Sequence, residues 1–348
     1  MAATATPGLK TKKLLIRRIV PTHARQLRPV VQFAFLALNV WIATEFYLFV
    51  RQFEIPGSEY TISRPPGVEG WLPIAGLMNL KAFLLTGGIP ELHPATLFLI
   101  TAFLAMSLLL RKAFCSWLCP VGTFSEWLWK AGRSIFRRNF ALPRWADIPL
   151  RSLKYILMGL FVWVVVKMPV DGIRAFLHSP YGLVADVKML NLFRFMTITT
   201  AVVLGVLMVA SVFVQNFWCR YLCPYGALMG IAALFSPLRI RRDEKLCIDC
   251  AKCAKACPSQ LPVDRLITIR SAECLGCMEC VNICPAEGAL DMKLLARKRV
   301  QPWMIAAGVG VIFFGLVGYA KLTGHWESSL PNAVYERLIP AAQELTHP

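Results

Sequence analysis

Long apolar runs recur along the chain and predict membrane helices. They cover about residues 29–50, 93–110, 152–170, 196–217 and 302–320. A helix of roughly 20 residues spans the ~30 Å hydrocarbon core of a bilayer. The pattern therefore predicts a mostly α protein, a polytopic transmembrane helix bundle of about five spans. The apolar stretch 71–90 is interrupted by Gly76, Lys81, Gly87 and Gly88, which favours an interfacial or re-entrant helix over a sixth span.

Basic residues are unevenly distributed and predict the orientation of these spans. The first 28 residues hold seven Lys or Arg and no acid, and residues 111–154 hold nine Lys or Arg against two acids. Residues 51–91 hold four acids and three basic residues. Because cytoplasmic loops collect Lys and Arg, we expect a bacterial inner-membrane protein, surrounded by lipid, with a cytoplasmic N-terminus and a periplasmic C-terminus. The same bias accounts for the net charge of +18 without a nucleic-acid partner.

An internal repeat lies beneath this topology. The segment Phe114–Gly122, FCSWLCPVG, matches Trp218–Gly226, WCRYLCPYG, in residue type at nearly every position. Each copy follows an apolar run that ends on the basic side. The simplest interpretation is two duplicated hairpins, formed by the first two spans and the next two, which places both Cys-x-x-x-Cys-Pro motifs at one depth.

A polar segment between the fourth and fifth spans carries eight of the twelve cysteines. It contains the run Cys-x-x-Cys-x-x-Cys-x-x-x-Cys-Pro twice, and in two-cluster bacterial ferredoxins the fourth cysteine of each run ligates the other cluster. We therefore predict two [4Fe–4S] clusters. The first set of ligands is Cys247, Cys250, Cys253 and Cys284. The second set is Cys274, Cys277, Cys280 and Cys257.

These features divide the chain into five parts. We expect a basic cytoplasmic N-terminus at 1–28, a four-span membrane domain at 29–238 and a small inserted α+β ferredoxin-type domain of the bacterial 2[4Fe–4S] kind at 239–298. A fifth transmembrane helix at 299–321 and a periplasmic tail at 322–348 follow. A structural zinc site uses four ligands as two pairs and has no need of this repeated pattern. No Cys-x-x-Cys is followed by His, which excludes c-type haem attachment.

The four remaining cysteines form the two Cys-x-x-x-Cys-Pro pairs, which we call the paired cysteines. Helical i, i+4 spacing predicts that both thiols of a pair share one helical face. The paired cysteines are therefore candidate metal ligands, and they could hold a third cluster, form reversible disulfides or bind copper. The alternative is four buried thiols that only pack. The residues in question are Cys115, Cys119, Cys219 and Cys223.

Polar residues in and beside the spans offer a candidate quinone site. Glu45 lies on the first predicted helix, where an ionisable residue is a functional candidate, although it could equally pair with a neighbour such as Lys81. The loop with Asp171, His178, Tyr181 and Asp186 could line a quinone site and pass protons, or be an ordinary loop.

The combination of the two motif pairs with the double ferredoxin run resembles the NapH, MauN and NosR group of membrane-bound polyferredoxins. The resemblance covers roughly residues 30–295, and its functional residues correspond here to the twelve cysteines. The fifth span and the short tail look more like the CcoG group, whose members are associated with copper handling. This chain lacks the large periplasmic flavin-binding domain of NosR-type proteins and the longer periplasmic domain of the CcoG group.

The resemblance implies a membrane iron–sulfur electron carrier, and leaves open whether it is a quinol dehydrogenase subunit. Such a protein would pass electrons between the quinone pool or a cytoplasmic donor and a respiratory or maturation partner. The alternative is an accessory copper or thiol reductase that helps to assemble another redox enzyme at the paired cysteines. Other redox subunits are the expected partners in either case.

Overall fold

The computed structural model describes residues 22–55, 57, 60–137, 139–295 and 297–347. These residues are mostly helical and include three short strands. The α-helices are α1 Thr22–Glu54, α2 Pro73–Thr86, α3 Pro94–Leu110, α4 Pro120–Phe136, α5 Arg144–Lys167, α6 Val170–Leu177, α7 Pro180–Leu183, α8 Ala185–Arg194, α9 Ile198–Phe213, α10 Pro224–Leu234, α11 Lys252–Ala256, α12 Glu279–Asn282, α13 Pro302–Leu322 and α14 Asn332–Leu338. The predicted basic N-terminal part lies almost wholly outside the described residues.

Three described helices are long and apolar enough to cross a membrane. They are the Gln26–Glu54 part of α1, the Trp145–Lys167 part of α5, and α13. Helices α8 and α9 meet at 81° and, taken together, are also long and apolar enough to cross a membrane. Large apolar side chains on these helices face outward, as Trp163 and Val311 do, which suits a lipid environment. This is therefore a membrane protein with three or four candidate spans.

The helices found at the second and fourth predicted spans are shorter than a full membrane span or than the predicted run. Helix α3 matches the second but has only 17 residues, about 26 Å at 1.5 Å per residue. The fourth was expected to be one run over 196–217, yet α9 ends at Phe213. The following Val214 is extended and pairs with Phe140 in an isolated bridge. A tertiary contact thus ends the helix before the apolar run does.

Helix α3 lies at the centre of the bundle. It packs against α2, α10 and α13, and most of its residues are buried, with Ala95, Ala102 and Met106 fully enclosed. A helix that is apolar on every side is stable only when it is covered on every side. Because α3 runs from His93 to the first cysteine motif, we call its C-terminal end the cysteine end of the bundle and its N-terminal end the distal end.

Helices α2, α4 and α10 are among the described helices that have no counterpart in the predicted spans. Helix α2 has 14 residues and lies within the stretch expected to be interfacial or re-entrant. Helices α4 and α10 follow the two cysteine motifs and were not predicted. Each begins with proline, which suits the first helical position because its missing N–H has no partner to lose there.

Lys81 of α2 does not pair with Glu45. Its ammonium donates to the carbonyl oxygens of Val165, Val166 and Met168 at 3.0, 2.9 and 2.5 Å. These carbonyls belong to the C-terminal turn of α5, whose last C=O groups have no partner within the helix. Lys81 therefore caps α5, and the pairing of Glu45 with Lys81 that the sequence suggested is wrong.

A buried ionic network connects several segments at the distal end of the bundle. Arg64 donates to Glu69 at 2.7 Å and to Asp186 at 2.7 Å, and both carboxylates have fully buried side chains. His93 lies beside Glu69 at 3.3 Å and contacts the carbonyl oxygen of Gly182 at 3.0 Å. The network links the 60–71 segment to α3, α7 and α8, so it fixes the distal ends of several helices at once.

The C-terminal tail packs on the same chain. Tyr335 of α14 is buried and meets the ring of Phe49 edge-on with centroids 5.2 Å apart. Ile339 and Ala342 are buried in the same cluster. The tail thus covers the distal part of α1 and forms part of one core with it.

The polar segment that carries the double cysteine run forms an antiparallel sheet at the cysteine end. Strand β1 Leu238–Arg242 pairs with β2 Leu290–Leu294, and β2 pairs with β3 Lys298–Arg299. In the register Ile240 lies opposite Met292, and both are buried. The sheet brings the two ends of the segment together, so both cysteine runs lie between its first and second strands.

Replacing Arg64 by methionine tests the distal network. Arg64→Met leaves two buried carboxylates without their cation, and removing one partner of a buried ion pair costs roughly 3–5 kcal/mol. Arg51→Met is the matched control, because Arg51 pairs with Glu54 while 45% exposed and such pairs contribute about 1 kcal/mol at most. The midpoint temperature of thermal unfolding in detergent should fall strongly for Arg64→Met and little for Arg51→Met. Equal midpoints would contradict a stabilising network.

Candidate functional site

Both Cys-x-x-x-Cys-Pro motifs adopt the same local structure. Phe114–Leu118 and Trp218–Leu222 are single π-helical turns. In each, the N–H of the second cysteine donates to a carbonyl five residues earlier, from Cys119 to Phe114 at 2.9 Å and from Cys223 to Trp218 at 3.0 Å. Isolated π turns are often found at functional sites.

The second cysteine of each pair lies outside the regular helix. Cys119 and Cys223 are extended and stand immediately before α4 and α10. The N–H of Gly226 donates to the Cys223 sulfur at 3.2 Å, and a helix N-terminus favours negative charge on such a group. The expected i, i+4 helical face is therefore wrong in detail, because a π turn and a helix cap orient the thiols instead.

Gly122 is required by this geometry. A Cβ on Gly122 would lie 2.5 Å from the carbonyl oxygen of Cys115, a distance that real Cβ atoms do not reach. The backbone of α4 can therefore pass over the first cysteine only with glycine at this position. Sequence comparison of the two copies signalled this glycine, since both motifs end in it.

All four paired cysteines line one cavity of about 1040 Å³. Burial raises the pKa of Cys115 to about 12 and that of Cys119 to about 11. Burial also raises the pKa of Cys219, as do the other three thiols of this cavity. Thiols that resist ionisation bind a positively charged guest only by releasing protons. The two copies of the repeat thus contribute to a single site.

The cavity extends from the paired cysteines towards the distal end. Its walls include Phe35 and Ile42 of α1 and Val317 of α13, and it reaches Trp71 and Trp326. Glu45 also lines it. The cavity is therefore long and mostly apolar, with thiols at one end.

The loop proposed from sequence as a quinone site is not part of this lining among the described residues. Asp186 is held by Arg64 at the distal end, and the Tyr181 ring lies against Phe176 and His347. Asp171 and His178 are exposed. Glu45 is the sequence candidate that the cavity does include.

The eight ferredoxin-type cysteines surround two smaller cavities. One is lined by Cys247, Cys250, Cys253 and Cys284, and we call these residues the first set. The other is lined by Cys257, Cys274, Cys277 and Cys280, the second set. In the described residues, no three His, Cys, Asp or Glu groups converge closely enough to hold a single metal ion. Each set encloses a volume shared by four thiols.

The two loops share an unusual backbone. Asp249 and Ala251 have φ of 56° and 54°, and the equivalent Gly276 and Met278 have φ of 65° and 60°. Left-handed residues alternating with right-handed ones point successive N–H groups into one concavity, which attracts anions. Such N–H groups can donate to cluster sulfurs and adjust the reduction potential. Non-glycine residues in this region store strain, as is common at functional sites.

The second loop lies directly against the first paired-cysteine motif. Ser116, between Cys115 and Cys119, donates its hydroxyl to the carbonyl oxygen of Leu275 at 2.8 Å. Leu275 lies between Cys274 and Cys277 and lines both the second-set cavity and the large cavity. One leucine therefore separates the two cysteine sites.

Arg28 of α1 completes this contact. It donates to the carbonyl oxygen of Ser116 at 3.0 Å and to Glu279 at 2.7 Å, and it forms a two-pronged pair with Glu126. Its side chain is only 5% exposed. A buried guanidinium with both a carbonyl and two carboxylates fixes α1, α4 and the second loop relative to each other.

One further ion pair and one hydrogen bond dock the polar segment on the bundle. Lys154 of α5 donates to Glu273 at 2.6 Å. Burial opposes ionisation of Glu273, yet the ammonium groups of Lys112 and Lys154 hold its pKa below the ordinary value. Arg220 donates to the carbonyl oxygen of Ser259 at 2.7 Å and also pairs with Asp147. All of these contacts involve residues next to the second set.

Sequence reasoning missed these docking residues. In the sequence, Arg28, Lys112 and Lys154 count only towards the positive-inside bias, and Arg220 appears only as a position of the second cysteine motif. Their position beside the cysteine motifs was a usable signal for Lys112 and Arg220, which lie three residues before Cys115 and one after Cys219. Arg28 and Lys154 carry no local signal, because only the packing of α1 and α5 brings them here.

Family models match the segments that carry the cysteines. A model described as a 4Fe-4S binding domain matches residues 92–143 and 196–242, the two copies of the repeat. A model described as a 4Fe-4S dicluster domain matches residues 239–285. The residue ranges of these two models include all twelve cysteines.

Curated relatives extend the similarity. The chain is 49% identical over 331 residues, 93% of each chain, to "Putative electron transport protein YccM" of Escherichia coli strain K12. It is 30% identical to Protein NirI of Paracoccus denitrificans over 52% of this chain and 28% of NirI. It is 27% identical to ferredoxin-type protein NapH of Escherichia coli over 52% of this chain and 59% of NapH. No solved structure gives a significant match.

The left-handed position in the second loop offers a test of this geometry. In Gly276→Ala the new Cβ would lie 3.1 Å from that of Arg111, and a left-handed alanine costs roughly 1–2 kcal/mol. Asp249→Gly is the control at the equivalent position of the first loop, where glycine relieves the strain. We expect a lower thermal midpoint only for Gly276→Ala, measured on the purified protein in detergent. A midpoint unchanged by Gly276→Ala would contradict the close contact with Arg111.

Proposed function

Because the chain belongs to the family of 4Fe-4S ferredoxin-type membrane proteins that includes YccM, we propose that it carries electrons between iron–sulfur clusters and a redox partner at a bacterial inner membrane. NirI and NapH, which match about half of the chain, belong to the same group. The contact between Ser116 and Leu275 is the observation on which the proposal rests, since it places two cysteine sites side by side.

The first and second sets would each hold one [4Fe–4S] cluster. When bound, each cluster supplies a centre that accepts and returns one electron. The crossed arrangement, in which Cys284 joins the first set and Cys257 the second, supports this assignment. The left-handed loop residues would direct N–H groups to the sulfurs, and Cys250, the exposed cysteine of the first set, leaves that site open to a soluble donor.

We propose the topology predicted by the charges. Residues 1–28 and the inserted domain at 239–298 would be cytoplasmic, the membrane domain would span 29–238, and the tail at 322–348 would be periplasmic. The three long apolar helices and the bent pair α8–α9 provide up to four crossings. Helix α3, enclosed by its neighbours, would provide the remaining one, because a covered helix can be shorter than one that faces lipid.

The large cavity would accept a quinone. It is mostly apolar, of about 1040 Å³, which suits a ring with an isoprenoid tail. The paired cysteines lie at its cysteine end, one residue away from the second set through Leu275. Glu45 on α1 would be the group available to exchange protons along it.

The rival role is that of an accessory reductase. The four paired cysteines line an accessible cavity, so copper or a dithiol partner could exchange there. Under this alternative the ferredoxin-type segment would supply electrons to the thiols, and the recipient would be another redox enzyme under assembly. Respiratory or maturation subunits are the expected partners in both roles.

Blocking the cavity distinguishes the two roles. Val317→Trp fills the cavity from α13, whereas Val311→Trp adds the same ring to a position on α13 that is 74% exposed. The purified protein is reduced with dithionite without oxygen, a menaquinone analogue is added, and oxidation is followed by absorbance and EPR. We expect Val317→Trp to slow oxidation at least about tenfold, a loss of about 1.4 kcal/mol of barrier lowering, and Val311→Trp to match the wild type.

Equal, slow oxidation of all three proteins would overturn the quinone site and favour the accessory role. Fast oxidation of all three would mean that the quinone takes electrons at the exposed first set instead. The iron content of each variant, measured beforehand, separates a blocked cavity from a protein that has lost its clusters.

A further inference from the structure

Lys112 is a buried cation without a partner. The residue is 2% exposed, and within the part of the chain that the structure describes its ammonium makes no hydrogen bond or ion pair. It lines the large cavity together with the four paired cysteines. Burying an unpaired charge is costly, so a cation held here points to a negatively charged group that occupies the site.

The surroundings of Lys112 are defined by five elements. From the two motifs, the Cys115 and Cys219 thiols lie within its electrostatic reach. From α10, Gly230 lies beside it, and a Cβ there would be 3.6 Å from the ammonium nitrogen. From α5 and the second loop, Lys154 and Glu273 interact with it electrostatically. Glu273 is the nearby carboxylate, and it forms its ion pair with Lys154.

The other buried cations of the cysteine end are already matched. Arg28 pairs with Glu126 and Glu279, and Arg220 pairs with Asp147. Arg111 donates to the carbonyl oxygens of Ala233 and Ser271 at 3.2 and 3.0 Å. Lys112 and Lys154 thus share one carboxylate, Glu273, which leaves one positive charge beside the paired cysteines without a matching carboxylate.

The first set has the opposite environment. Its cavity is lined by Asp249, Asp264 and a single cation, Arg242, and Arg242 pairs with Glu244 at 3.1 Å. Cys250 is exposed, so water screens the charges that remain. The chain thus places an unmatched cation beside the paired cysteines and acidic groups beside the first set.

We propose that Lys112 makes the paired cysteines the electron-accepting end of the protein. This inference rests on the proposed function. A site whose reduced form carries more negative charge is stabilised by a nearby ammonium, whose field is weakly screened when buried. That holds for a thiolate-bound iron–sulfur centre, which gains one negative charge when it takes up an electron. Burial of the site opposes reduction, and Lys112 offsets this opposition.

The direction of transfer follows from this arrangement. An electron enters at the exposed first set from a reduced one-electron carrier protein, which is oxidised by one electron, and ends at the paired cysteines. For a cluster no bond forms or breaks.

The test is a redox titration of the full-length protein with its clusters. Lys112→Met keeps the length of the side chain and removes the charge, Lys112→Arg keeps the charge, and Lys298→Met removes a charge from an exposed position of β3. EPR follows the iron–sulfur centres. The signal that disappears in Cys115→Ser identifies the centre at the paired cysteines.

We expect Lys112→Met to shift the midpoint potential of that centre to more negative values, while the first-set cluster keeps its potential. Lys112→Arg should keep the wild-type midpoint potential, and Lys298→Met should leave the potentials of both centres unchanged. An unchanged midpoint in Lys112→Met, or a wild type without any redox centre at the paired cysteines, overturns the inference. A wild type that holds no ferredoxin-type iron would instead refute the proposed function.

Discussion

The hydrogen bond between Ser116 and Leu275 joins a membrane motif to a ferredoxin-type loop, and the relative position of the cysteine sites depends on it. Arg28 holds the same two segments through Ser116 and Glu279. Arg28 and Ser116 are buried, and a buried charge that loses its partner costs several kcal/mol. The polar segment is therefore fixed on the bundle, and the second set cannot move away from the paired cysteines without exposing unpaired charges.

The cysteine sets differ in their burial and in the charges around them. The first set includes an exposed cysteine, whereas Cys274, Cys277 and Cys280 of the second set are buried. The paired cysteines line one end of a cavity that passes between α1 and α13. One cysteine site open to solvent and another that lines an apolar cavity suit a protein that exchanges electrons with a soluble carrier on one side and a lipid-soluble one on the other.

The sequence predicted what depends on local pattern. The double ferredoxin run predicted the two sets around their cavities, and the apolar runs predicted α1, α5 and α13. It could not predict the π turns, because i, i+4 spacing reads as one helical face until Pro120 and Pro224 are seen to begin new helices. It also could not predict Arg28 or Lys154 as docking residues, since their partners lie 88 to 251 positions away. Long-range packing decides both.

The most direct test of the account is EPR of the fully reduced protein with iron quantification, in the wild type and in Cys250→Ser. Two clusters held side by side by crossed ligands should give a broadened, spin-coupled spectrum in the wild type. Cys250→Ser should retain about half of the ferredoxin-type iron and display one uncoupled signal from the second set. A variant that keeps all of its iron, or a wild type with a single isolated cluster, would contradict the two-cluster arrangement on which the account depends.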